Sequence, residues 1–167
     1  MNDELTALDI KKMREELDDR RLNQMPELIE EVKRTRAFGD LSENYEYKAA
    51  KQALNRNKGR IRYLEGMIKT ARVISGKTSD GVVGLFDKVR VYMIEDDEEQ
   101  VIQIVTTVRT DPMKGFISKE SPFGRAVLGK KAGDRVKVVV SDDYSYTCEI
   151  CSIEKCADDG SAPLLQY

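Results

Sequence analysis

The longest regular pattern in the chain runs from Tyr47 to Ala71. Tyr47, Ala50, Leu54, Asn57, Ile61, Leu64, Ile68 and Ala71 follow an unbroken alternation of three and four residues, the spacing of a helix that packs along one seam. A seam needs a neighbour, and the preceding segment offers one in Ile10, Met13 and Leu17, then Met25, Leu28 or Ile29, and Val32. Between the two lies a sharp acidic turn, Phe38-Gly39-Asp40-Leu41-Ser42-Glu43-Asn44-Tyr45. Gly39 tolerates the left-handed backbone that closes a helix, so the pattern predicts an antiparallel coiled-coil hairpin. At about 1.5 Å rise per residue, roughly 30 residues per helix give an arm about 45 Å long. Its tip is Asp40 to Glu43. In the first helix the apolar pattern slips between Leu17 and Met25, and Pro26 removes a backbone donor there, which predicts a kink or a broken joint.

The composition changes after residue 75. Residues 76–81 are rich in turn formers and read as a linker, and beyond them the period becomes that of strands. Lys88–Met93 and Gln100–Val108 alternate across the acidic turn Glu95–Glu99, and Arg135–Val140 and Tyr144–Ile153 form a hairpin around Asp142-Asp143. Ser121-Pro122 has the form of a helix start and Gly129 of its stop. The expected class is α+β in two domains. Residues 1–75 form a helical hairpin with its acidic tip near 39–46. Residues 82–154 form a mostly antiparallel sheet with one short helix, and 155–167 a loose tail.

Composition excludes several chemistries. The chain of 167 residues has a formal charge of −2, so there is no global pull toward nucleic acid or membrane. No apolar run reaches the length of a membrane span and the charged amino terminus has no signal-peptide core, which predicts a cytoplasmic protein. With no histidine, Ser-His and Cys-His nucleophiles are out. Cys148 and Cys151 have a C-x2-C spacing, but residues three apart on a strand face opposite ways and a fourth thiolate is missing, which argues against zinc or redox chemistry. Gly124 to Lys130 nearly matches a phosphate-binding loop, yet Lys131 stands where the Mg²⁺-binding Ser or Thr belongs.

Two features remain, each with two readings. Asp40-x-x-Glu43 fits a helix capping box worth about 1 kcal/mol. Spacing alone favours the cap, but it also places two carboxylates within reach of one Mg²⁺, an ion that two acids alone hold weakly, so a partner must complete the shell. Beside the seam run Lys48, Lys51, Lys58, Arg62, Lys69 and Arg72, joined by Arg56 and Arg60, with Arg34 and Arg36 before the turn. This basic shaft is either a solvated face paired with acids of the first helix, such as Asp18, Asp19, Glu30 and Glu31, or a rail for RNA or DNA phosphates.

The stretch Gly39-Asp40-Leu41-Ser42-Glu43-Asn44-Tyr45-Glu46-Tyr47-Lys48-Ala49-Ala50-Lys51, with Gly59-Arg60-Ile61, closely resembles the tip and second helix of bacterial Gre transcript cleavage factors. Residues Ile117 to Lys130 and Gly133-Asp134 are similar to that family's carboxy-terminal signature. The resemblance implies a coiled coil that enters the secondary channel of RNA polymerase and an FKBP-like domain that docks at its rim through Ser121, Pro122, Phe123 and Arg125. It implies that Asp40 and Glu43 help position Mg²⁺ and water in the polymerase's active centre, so that backtracked RNA is cut near its 3′ end; the phosphate-rail reading then sets Arg34, Arg36, Arg56 and Arg60 against the RNA. On this reading the protein binds no cofactor alone and is not itself an enzyme. Three departures stand out: Tyr45 where the family usually has a small residue, no threonine-glycine stretch around Asp9-Ile10, and a tail beyond the usual end.

Three other functions compete. An inhibitory paralogue fills the same channel without supporting cleavage, but carries an altered tip. An FKBP-type prolyl isomerase needs an aromatic-lined pocket, whereas Phe86, Phe116, Phe123 and scattered tyrosines are all this half supplies. A coiled-coil scaffold uses the tip acids only as caps.

Overall fold

The computed structural model describes residues 3–39, 43–76 and 79–166. Packing divides the chain into two units, one containing Ile10–Arg72 and the other Glu4–Asp9 together with Val73–Tyr167. Residues 4–9, which the bounds 1–75 assign to the hairpin, thus group with the sheet.

In the first unit, helix α1 (Ala7–Asp19) continues through a π-helical segment, Arg20–Gln24, into α2 (Met25–Arg36). The N–H of Met25 reaches back five residues to the carbonyl of Arg20. This wide turn accounts for the slip in the apolar pattern, because it inserts a residue into the helical phase. It also moves the carbonyl that the ring of Pro26 would otherwise strike, and leaves Pro26 in the first turn of α2, where a missing donor matters least. The expected break is therefore a widened turn ahead of the proline.

Helix α3 (Tyr45–Thr70) has 26 residues, a rod of about 39 Å. Ala50, Asn57, Ile61 and Leu64 of the predicted seam are buried. Asn57 is the polar member: its Oδ1 accepts from Arg20 Nη1 at 2.9 Å, and its Nδ2 donates to the Arg20 carbonyl in the widened turn at 3.4 Å. A polar residue at one seam position favours a single register of the two helices. The helix stops at Thr70, one residue short of the last seam position, since Ala71 is already extended. Strand β2 (Arg72–Ile74) follows and pairs with β1 (Glu4–Thr6).

The second unit holds a five-stranded sheet in the order β5-β4-β3-β7-β6. Strands β3 (Lys88–Met93), β4 (Glu98–Val105), β6 (Arg135–Val139) and β7 (Ser145–Glu154) pair antiparallel, but edge strand β5 (Phe116–Ser118) runs parallel to β4, so the sheet is mixed. Val89 and Val91 point into the core while Lys88 and Arg90 face out, as strand alternation requires. Ile104, Val105, Val127, Val138 and Ile150 are among the residues that share that core. Strand β4 ends three residues earlier than its pattern suggested, and Thr107–Arg109 turns inward as a 3₁₀ helix. Ser121 caps the short helix α4 (Pro122–Val127) by accepting from the Gly124 N–H. Glycine is required at 124, since a Cβ there would lie 2.1 Å from the Ser118 carbonyl oxygen.

The expected loose tail is a correction. Residues 155–166 form no regular element but are anchored at several points. Lys155 Nζ and the Cys156 N–H bind the buried carboxylate of Asp87, Ala162 joins the core, and the Leu165 N–H donates to the Val108 carbonyl at 2.7 Å. Asp158 receives Nη1 and Nη2 of Arg109 at 2.6 and 2.5 Å. Arg109 is fully buried, binds Asp9 through Nε and lies over the Phe86 ring at 5.1 Å. Burial opposes its charge, but the Asp158 and Asp9 carboxylates outweigh burial and hold the guanidinium more firmly protonated than usual.

Candidate functional site

The end of the hairpin is organised by Asn44. Helix α2 closes at Ala37, and Gly39 takes φ of 115°, a conformation that L side chains rarely adopt. Asn44 then caps α3, its Oδ1 accepting from the Tyr47 N–H at 3.0 Å, while its Nδ2 donates to the Thr35 carbonyl at 2.7 Å. One side chain thereby fastens the last turn of α2 to the first turn of α3. The cap lies four residues beyond Asp40, so Glu43 precedes the cap instead of occupying the third helical position that a capping box needs. A capping box does occur, at the start of α1: the Thr6 N–H donates to Asp9 and the Asp9 N–H to the Thr6 hydroxyl.

Glu43 is exposed. With Phe38, Asn44, Tyr45 and Glu46 it lines a hollow of about 520 Å³. Among the described residues it forms no ion pair, and no three acidic or cysteine side chains gather into a ligand cluster. Glu43 therefore offers a single open carboxylate. Asp40, Leu41 and Ser42 lie outside the described residues.

The cationic shaft divides. Arg34 is exposed but engaged, donating Nε and Nη2 to Glu31 at 2.9 and 2.6 Å; this bond to Glu31 raises its pKa. Arg36 and Arg56 are exposed, and among the described residues no carboxylate pairs with them or with Lys58, Arg62 and Lys69. Arg60 differs. It is buried and donates Nε and Nη2 to Glu16 at 2.9 and 3.1 Å, with Arg20 Nε on the same carboxylate at 2.8 Å. Its place beside the seam turns it toward α1, so Arg60 is a strut inside the hairpin and not part of an outward rail.

In the sheet unit, Ser121 is occupied as the α4 cap and also donates to the Ser118 carbonyl. Phe123 packs partly against the core. Of the four residues assigned to docking, Pro122 and Arg125 face outward, Arg125 reaching Glu120 at 3.0 Å. Cys148 is buried and Cys151 exposed on β7, and burial pushes the Cys148 thiol above its ordinary range, which disfavours the reactive thiolate. A hollow beside β4 is lined by Lys88, Val101, Gln103, Lys114 and one aromatic, Phe116. No helix among the described residues is long and apolar enough to cross a membrane.

Sequence reasoning overlooked two contributors here. Asn44 as cap was hidden because Asp40-x-x-Glu43 imitates the capping signature more closely. The exposure of Phe38 and Tyr45 carried only one hint, the large residue at 45 where small ones are usual.

Known proteins match over both halves. The family model described as "Transcription elongation factor, N-terminal" covers residues 4–73, and that described as "Transcription elongation factor, GreA/GreB, C-term" covers residues 78–155. The chain is 38% identical over 152 residues to Transcription elongation factor GreA of Oenococcus oeni, spanning 90% of this chain and 94% of that protein. It is 40% identical over 139 residues to the Clostridium acetobutylicum protein of the same name, spanning 83% and 88%. Among solved structures, GreA factor homolog 1 of Thermus thermophilus aligns with a TM-score of 0.44 at 22% identity, over 93% of this chain and 100% of that one. The chain belongs to the GreA/GreB family of transcription elongation factors.

Proposed function

We propose that this elongation factor binds RNA polymerase, enters its secondary channel with the helical hairpin, and stimulates the polymerase's own cleavage of backtracked RNA. The observation that carries the reading is Glu43: exposed at the hairpin end and relieved of capping by Asn44, its carboxylate is available to another molecule. Asp40 is the second acid of the pair, on the strength of the resemblance.

The donor set fits a shared Mg²⁺ and not a resident one, because one or two carboxylates leave most of a six-oxygen shell to water or a partner. Asp40 and Glu43 would hold that ion together with the polymerase's ligands, and the ion would supply a more acidic water and neutralise charge at the scissile phosphate. The chain's own part is reach, orientation and charge. Helix α3 gives the length, and Asn44 fastens α2 to α3 immediately after Glu43. Arg36 and Arg56 offer exposed cations for RNA phosphates, Arg34 shares its charge with Glu31, and Arg60 holds the two helices together. Pro122 and Arg125 offer the sheet unit's docking contacts. No nucleophile of this chain is needed, so the protein is an activator and not an enzyme.

The test is a defined backtracked elongation complex, with and without this protein. A new RNA cut upstream of the 3′ end, followed by renewed extension, is the expected result. Tight binding to polymerase with no cut would support the inhibitory alternative.

A further inference from the structure

We propose that Phe38 and Tyr45 form an aromatic platform at the hairpin end that stacks an unpaired base at the RNA 3′ end, placing the strand beside Glu43. The inference rests on the functional reading above and names positioning residues for it. Phe38 is 58% and Tyr45 80% exposed, although the chain has only 7% aromatic residues and buries Phe86 completely. Two large apolar rings left in solvent at one end of an arm point to a ligand with a π face. Both rings and Glu43 line the same shallow, open hollow of about 520 Å³, a surface on which a flat ring can lie.

The chemistry of the hollow selects among ligands. Glu43 and Glu46 repel a phosphate, so an anion is not what the rings receive. A cationic side chain is the natural rival, since aromatic rings and carboxylates attract one. Here each ring already carries a cation of its own: Arg34 lies 5.2 Å from the Phe38 centroid and Lys48 Nζ 5.5 Å from that of Tyr45. With one face of each ring taken by a cation, the open face is left to a neutral π system, and Arg34 and Lys48 lie beside the rings as positive charges for a strand's phosphates. Aromatic stacking beside backbone-tracking cations is how single-stranded nucleic acid is held without regard to sequence. Tyr45 is also the first residue of α3, so its ring departs from the turn that Asn44 fixes.

The experiment uses the full chain and a backtracked polymerase complex whose RNA ends in 2-aminopurine, a base whose fluorescence is quenched by stacking. The wild type is expected to quench it. Tyr45→Ala, at an exposed helix start where Ala is well tolerated, is expected to lose the quench and lower the saturating cleavage rate by up to about 5- to 160-fold, the factor equivalent to one lost base–aromatic stack. The half-saturating factor concentration should hardly move, and Tyr45→Phe should restore both readouts. Equal quenching and rate in Tyr45→Ala would overturn the platform. So would an intact quench with weakened polymerase binding, which would assign the rings to a cationic side chain of the partner. Quenching by a wild type that supports no cleavage would sink the functional reading while leaving the stack in place.

Discussion

The hairpin and the sheet unit treat charge in opposite ways. In the sheet unit Arg109 is fully buried between Asp9, Asp158 and the Phe86 ring, and Asp87 is buried beneath Lys155 and Cys156. In the hairpin the Glu16, Arg20, Arg60 and Asn57 group is drawn inward, while Arg36, Arg56, Lys58 and Glu43 are exposed. Buried pairs add little net stability but are severely missed when halved, because the remaining charge cannot rehydrate. Exposed charges can be removed with almost no effect on folding. The sheet unit thus ties buried charges into its fold, whereas several charges of the hairpin stay exposed.

That contrast is broken most sharply at Arg109. Arg109→Met leaves Asp9 buried without its cation and should destabilise the sheet unit by about 3–5 kcal/mol in urea unfolding; a change below about 1 kcal/mol would class it with the exposed pairs. Asp158→Ala removes the tail's partner for two guanidinium nitrogens. It should lower stability by about 1–3 kcal/mol and open residues 155–166 to proteolysis. Asn44→Ala at the tip should remove about 1 kcal/mol through the lost cap, and Asn44→Asp, which still accepts from Tyr47 but cannot donate to Thr35, should recover part of it.

The smallest effect is one of pH at Glu16. Burial raises the pKa of this carboxylate, but the bonds from Arg60 and Arg20 outweigh burial and hold it below the ordinary glutamate range. A depressed folded-state value means that the contribution is complete above the unfolded value and fades as pH falls through the folded one. Helicity-monitored unfolding of the wild type should therefore weaken on the acid side of the glutamate range. Glu16→Gln should show a flatter acid limb, and identical profiles would remove the carboxylate from the hairpin's stability.

Local patterns were legible where neighbours in sequence are neighbours in space. The seam of α3, the bounds of β3, the Ser121 cap and the β6-β7 hairpin follow from periods of 3.6 and 2 and from turn chemistry. The widened turn at Arg20–Gln24 left only a slip in the pattern. What sequence concealed was long-range pairing. Arg60 finds Glu16 across 44 residues and Arg109 finds Asp158 across 49, and nothing local distinguishes these arginines from solvated ones. For the same reason the tail, with its Asp158-Asp159 run, reads as loose while its partners lie in distant elements. At the tip, Asp40 and Glu43 have the spacing of a cap, and the true cap at Asn44 emerges only once the length of the turn is known.

The direct test of the account is transcript cleavage by a backtracked RNA polymerase complex in the presence of Glu43→Gln or Asp40→Asn, each first shown to unfold like the wild type. Loss of a carboxylate at unchanged stability should cut stimulated cleavage at least about 10-fold while binding to polymerase persists. Full cleavage with either variant would contradict the claim that the tip acids act in another enzyme's active centre.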